Sequence, residues 1–252
     1  MQSLRVICPN GHLGFAPLRT ESFQLGVAAA PDYIAADSGS DDVGPVPLGS
    51  DTSTSPLAWQ RHDLEQMLLA SRKLGVPMII GSAGDTGSNS RVDLYVGIIK
   101  ELAAQHGLTK FRLGWFYSEV DKAYLRRRMQ EGETVQGLDG YADLVGSELD
   151  ATDRIVAMAG VHPYVELLRR GADVIIGGRS SDAALFAAAA KRAASELRPP
   201  MMTSAPRRSS STYGCTPAIA TMRSVASSSA SVRSVYPSRP CTVSPSCILR
   251  RR

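Results

Sequence analysis

Residues 75–107, GVPMIIGSAGDTGSNSRVDLYVGIIKELAAQHG, restrict the chain to few architectures. The apolar run at 76–80 reads as a strand, and Gly81, Gly84 and Gly87 mark a loop after it. In residues 91–106, Val92, Tyr95, Val96, Ile99 and Leu102 recur three to four apart, which gives one apolar helical face. Gly107 stands where a glycine commonly ends a helix. A strand, glycine loop and helix in this order place backbone N–H groups at a helix N-terminus, where an anion can bind.

The same unit recurs along the chain. Residues 4–8 form a short apolar strand, followed by the turn-rich Pro9-Asn10-Gly11-His12-Leu13-Gly14. A helix is expected over 21–30, closed by Pro31, which cannot continue it. A strand at 33–36 runs into an acidic glycine loop that starts at Asp37 and reaches about residue 56. The spacing predicts a helix over 57–74 and a strand over 111–117. Another helix is expected at 121–131, with Arg126, Arg127 and Arg128 on a solvated face. Residues 132–151 read as a polar loop. An apolar stretch at 155–159, a helix at 161–170 and a strand at 172–176 follow. Gly177-Gly178-Arg179-Ser180-Ser181-Asp182 then leads into a helix from 183.

Alternating strands and helices imply an α/β fold for residues 1–192: a Rossmann-like, open, mainly parallel sheet with helices on both faces. Ligands of such sheets sit outside the carboxyl ends of the strands. Each of these strands is followed by a loop rich in Gly, Ser or Asp.

Residues 193–252 have another character. From 191 onward there are 14 Ser, 10 Arg and 7 Pro, with Tyr213 and Tyr236 the two aromatics. This part carries a net charge of +10, so the rest of the +4 chain is net −6, and the high isoelectric point belongs to the tail. A segment of this kind buries too little surface to offset the entropy of ordering, and a disordered tail is expected. The abrupt change also fits a shift of reading frame, because GC-rich coding DNA read out of frame yields Arg, Ser, Pro, Ala and Cys. A nucleic-acid partner is disfavoured, although ten Arg could neutralise phosphates. Cys8 falls in a strand pattern and is expected to be buried and reduced. The other three cysteines, in the tail, lack metal-ligand spacing. No run approaches the ~20 apolar residues of a membrane span, so a soluble cytoplasmic protein without a membrane partner is expected. A homo-oligomer is compatible with this pattern.

The candidate catalytic residues are His12, Asp37 and Asp85. His12 follows the first strand and belongs to the residue type that titrates near neutral pH; an exposed or merely hydrogen-bonded loop histidine is the plainer alternative. Ser38, Asp41, Gly81, Ser82, Gly84, Thr86, Gly87, Arg179 and Asp182 are candidate ligand-binding residues. The glycine spacing G-x-x-G-x-x-G is neither the dinucleotide fingerprint nor a P-loop, and Asp85 would repel phosphate. Asp37, Asp41, Asp42 and Asp85 together could bind a divalent cation, or they could be solvated and cap helices; metal and cofactor are both left open. Arg179 could pair bidentately with a carboxylate or phosphate, or with a neighbouring acid while Asp182 caps the helix.

Four segments resemble the acyclic terpene utilisation (AtuA-type) family: PNGHLGF at 9–15, DYIAADSGSDDVGPVPLGS at 32–50, PMIIGSAGDTGSN at 77–89 and GADVIIGGRSSDAALFAA at 171–188. The resemblance covers roughly residues 4–190. It implies a place in catabolism of citronellol- and geraniol-type acyclic terpenes or related branched acids, with a polar or acyl-CoA-type substrate, and it supplies no reaction. It also implies further ordered sequence where this chain has its Ser/Arg/Pro tail, a truncation that bears on function. A non-catalytic ligand-binding or assembly subunit, or a non-functional fragment, is the rival reading.

Overall fold

The computed structural model describes residues 4–39, 44–196 and 217–222. The strands are β1 (Val6–Ile7), β2 (Tyr33–Gly39), β3 (Met78–Asp85), β4 (Phe111–Phe116), β5 (Val174–Gly177) and β6 (Pro217–Met222). They form one sheet in the order β1-β2-β3-β5-β4-β6. Neighbours from β1 to β4 pair in parallel, and β6 pairs antiparallel to β4. The carboxyl ends of β1, β2, β3 and β5 therefore meet at one edge, as the glycine-rich loops led us to expect.

Both faces of the sheet are covered. Helices α1 (Thr20–Ala28), α3 (Leu57–Leu74) and α4 (Asn89–Gln105) pack on one face. There, Leu64, Met67, Leu68, Tyr95 and Ile99 meet Ile34, Met78, Ile80 and Ile176. Helices α7 (His162–Arg169) and α8 (Asp182–Glu196) cover the other, where Tyr164, Leu167, Leu168 and Leu185 meet Ala35, Ile79 and Ile175. Every residue of β3 is buried, which is the reason its sequence is a continuous apolar and small-residue run instead of an alternating one.

Several expectations change. β3 continues through Gly81 to Asp85, and β2 through Asp37 and Ser38 to Gly39, so these residues extend the strands where loops were expected. The reason is small side chains, which let the buried ladder continue. Two short helices, α2 (Val46–Ser50) and α6 (Gly146–Ala151), lie in stretches read as loop, while α5 (Lys122–Gln130) matches its prediction. Cys8 is exposed instead of buried, because β1 ends at Ile7. Residues 217–222 of the tail form the edge strand β6. The rest of the tail expectation, with its three cysteines, lies outside the described residues.

Gly87 fixes the approach of two loops. Its φ is +64°, and a Cβ there would lie 2.2 Å from the Arg179 backbone nitrogen. That nitrogen donates to the Gly87 carbonyl at 3.0 Å. Gly87→Ala should cost about 1–3 kcal/mol for the backbone conformation alone, and more for the collision. Gly97 in α4 has open space around it, and Gly97→Ala should be neutral or stabilising by about 0.5–1 kcal/mol. Thermal unfolding of both variants checks this; equal melting temperatures would contradict the packing described.

Candidate functional site

The ladder between β2 and β3 slips between Asp37/Gly81 and Gly39/Asp85, so β3 carries extra residues here. A bulge of this kind bends a strand and re-aims its side chains. Ser82 and Asp85 take positive φ, +45° and +69°, conformations that non-glycine residues hold only when their surroundings over-determine them.

For Asp85 the surroundings do so. Its Oδ2 accepts from Ser53 Oγ (2.8 Å), Thr54 N (2.5 Å), Thr54 Oγ1 (2.8 Å) and Ser55 N (3.0 Å). Its Oδ1 accepts from Ser55 Oγ (2.8 Å) and lies 3.0 Å from His12 Nε2. The side chain is fully buried. Burial alone would raise its pKa, but the hydrogen bonds from His12, Thr54, Ser55 and Ser53 outweigh that and hold the carboxyl well below the usual carboxylate range. Asp85 is thus an acceptor-only carboxylate.

That fixes the imidazole. Nε2 of His12 must carry the hydrogen toward Asp85, so a neutral His12 presents Nδ1 as an acceptor. No hydrogen bond to Nδ1 is found among the described residues. The loop is shaped locally. Asn10 Oδ1 accepts from His12 N at 3.3 Å, and its amide donates to the Ala16 carbonyl at 2.7 Å. Leu13 N donates to the Asp37 carbonyl at 2.9 Å, which ties the loop to β2. Gly14, at φ +86°, lies so close to Gln60 that a Cβ would sit 2.4 Å from its Cγ. The exposed Phe15 ring stacks on His12 with centroids 5.4 Å apart.

Arg179, buried after β5, reaches back across the edge. Its Nη1 donates to the Asp85 carbonyl at 3.4 Å and lies beside Gly39. Asp37 is 4% exposed. Its Oδ2 accepts from Gly39 N at 2.8 Å, while Oδ1 is buried with no hydrogen-bond partner among the described residues. Burial, and then the charge of Asp182, push its pKa up to about 6 against the opposing pull of Gly39 N–H and Arg179.

The family model described as acyclic terpene utilisation family protein AtuA matches residues 4–193. The chain belongs to this family. Searches of curated proteins and of solved structures return no match.

In this AtuA-family chain, His12, Asp37, Asp85 and Arg179, from four separate segments, meet at one sheet edge. Gly87 joins them through its contact with Arg179, and Gly81 packs against Asp37 Oδ1. Ser82 Oγ donates to the Ser180 carbonyl and accepts from Ser180 N, both at 3.2 Å. Ser38 points inward, its hydroxyl 2.7 Å from that of Tyr95. Gly84 packs on Arg91, and the Thr86 hydroxyl donates to Ser88, away from Asp85. Asp182 opens α8, and its charge acts on Asp37. Asp41 and Asp42 lie outside the described residues. No group of three or more His, Cys, Asp or Glu side chains suited to a metal occurs among the described residues.

Sequence reasoning missed Ser53, Thr54 and Ser55, the hydroxyl run that clasps Asp85, and Asp63, buried in α3. Asp63 accepts from Gly14 N at 3.2 Å and Leu18 N at 2.9 Å. A readable signal existed for Asp63, an acid on the apolar face that Leu64 and Met67 define.

Asp37 and Asp85 should leave opposite marks on stability. A carboxyl with a raised folded-state pKa contributes most below its unfolded value near 4 and loses that contribution as pH rises through about 6. Asp85, with a lowered pKa, contributes above about 4 and loses this as pH falls. Urea unfolding between about pH 4 and pH 7 should show wild type losing on the order of 2 kcal/mol through Asp37, a slope that Asp37→Asn removes. Equal slopes in both proteins would mean that Asp37 ionises normally.

Proposed function

We propose that the chain binds a polar or acyl-CoA-type derivative of a branched acyclic terpene, of the citronellol or geraniol kind, or of a related branched acid. The ligand sits at the carboxyl ends of the strands, and His12 moves a proton there. Membership of the family gives the general role, acyclic terpene utilisation. The observation that carries the finer reading is the His12–Asp85 pair at 3.0 Å. Asp85 fixes the ring and its tautomer, and Nδ1 is left to act as a base. Asp37, with its raised pKa, is suited to hold or release a proton near neutral pH. A cytoplasmic setting and a small-molecule partner belong to the same reading.

A second reading, a non-catalytic binding subunit, draws support from Asp85 itself. Both carboxylate oxygens are occupied by protein donors, as in a purely structural clasp. Turnover of a branched acyl-CoA by wild type, His12→Ala and His12→Gln separates the two. If His12 is the proton carrier, both variants lose about 10²–10⁴-fold in rate with melting temperatures little changed. A ligand-induced thermal shift in wild type without turnover would favour the binding subunit instead.

A further inference from the structure

Phe15, in the loop after β1, is 62% exposed, so core burial does not account for where its ring lies. Among the described residues its ring contact is with His12. The two centroids are 5.4 Å apart and the planes 17° from parallel, within the range of stacked rings. The backbone is built to produce that contact. Phe15 N donates to the His12 carbonyl at 3.2 Å, which closes a four-residue turn. Gly14, third in the turn, has φ +86°, the sign that a type II turn requires there and that glycine supplies without strain. Asp63, fully buried in α3, holds the turn by accepting from Gly14 N at 3.2 Å and Leu18 N at 2.9 Å. Leu13 N donates to the Asp37 carbonyl at 2.9 Å, and the Asn10 amide to the Ala16 carbonyl at 2.7 Å. A surface ring is thus carried on a backbone that is tied on both sides of it.

Asp85 alone leaves one freedom to the imidazole. Nε2 lies close to the Cβ–Cγ axis, so turning the ring about that bond moves Nε2 little and swings Nδ1 further. This torsion is a broad one in histidine, and a hydrogen bond at Nε2 constrains it weakly. Ser55 Oγ, 3.5 Å from the same nitrogen, adds no second point on the ring. A second ring lying against the imidazole face closes that torsion.

We infer that Phe15 is a positioning residue for His12: its ring sets the plane of the imidazole, and with it the line along which Nδ1 meets a proton. The Nδ1 lone pair lies in the ring plane, so fixing the plane aims the base, to the roughly 10–20° that a working site needs. The consequence for proton transfer rests on His12 as the proton carrier, the reading given under Proposed function. The fixed plane itself does not.

Two measurements on the full chain separate these. The first is NMR relaxation of ¹³C-labelled histidine rings, with the His12 signal assigned as the one missing from His12→Gln. Wild type and Phe15→Tyr should give a His12 ring order parameter in the rigid range, about 0.85, and Phe15→Leu one below about 0.6. Melting temperatures should be alike, because the position is exposed, and Phe15→Met repeats the comparison should Phe15→Leu unfold. A ring as rigid in Phe15→Leu as in wild type overturns the inference, whatever His12 does in catalysis. The second is turnover of 3,7-dimethyloctanoyl-CoA. Phe15→Leu should lower kcat about 10–10²-fold with KM near the wild-type value, and Phe15→Tyr should restore it. A raised KM with unchanged kcat would make Phe15 a ligand contact and overturn the positioning role. A loosened ring with kcat and KM both unchanged supports the fixed plane and removes His12 as the proton carrier, so the two readings fail separately.

Discussion

The fold's functional edge depends on one buried negative charge. Asp85 is taken out of water, which would be costly if its oxygens were unpaired. Hydroxyl and amide donors from residues 53–55, together with His12, meet it instead. The charge therefore gathers three parts of the chain that share no secondary structure: the end of β3, the loop before α3 and the loop after β1. Without Asp85, that hydroxyl run and the imidazole would have no common acceptor.

The same edge holds a second carboxyl in the opposite electrostatic state. Asp37 lies one strand away, with one oxygen lacking a partner among the described residues and a like charge at Asp182, and it keeps its proton to about pH 6. Two acids of similar intrinsic strength are thus driven apart by hydrogen-bond supply, a division that lets one site hold a fixed anion and an exchangeable proton side by side. The β3 bulge makes this separation geometric. The slip in the ladder sets Gly81 opposite Asp37 but carries Asp85 on to Gly39, so the two carboxyls do not share donors.

The large features were legible because they are written in periodicity. The helix at 57–74 appears with the expected bounds, closed by Gly75 in the left-handed conformation, and the parallel sheet follows from the repeated strand–loop–helix order. The shared position of His12, Asp37, Asp85 and Arg179 followed from the same rule about strand ends. The clasp was not legible. Ser53, Thr54 and Ser55 look like any polar loop, and their role appears only when Asp85, thirty residues on, is folded against them. The length of β3 was misread for a related reason: glycine and serine signal a turn locally, yet in a fully buried central strand small residues also let neighbouring elements approach closely. The exposure of Cys8 depends on where β1 ends, a boundary that local sequence sets weakly.

The outermost strand, β6, has one further consequence. A bare edge strand offers a row of unpaired backbone groups to any extended chain, and at β4 that row is taken up antiparallel from Phe111 to Phe116. Such pairing draws on main-chain groups, so it asks little of side-chain identity. Pro217 stands at the first position of the strand, where a missing donor is best tolerated. The exposed side of β4 is therefore covered by main-chain pairing, which a Ser-, Arg- and Pro-rich segment can make although its composition would not build a core.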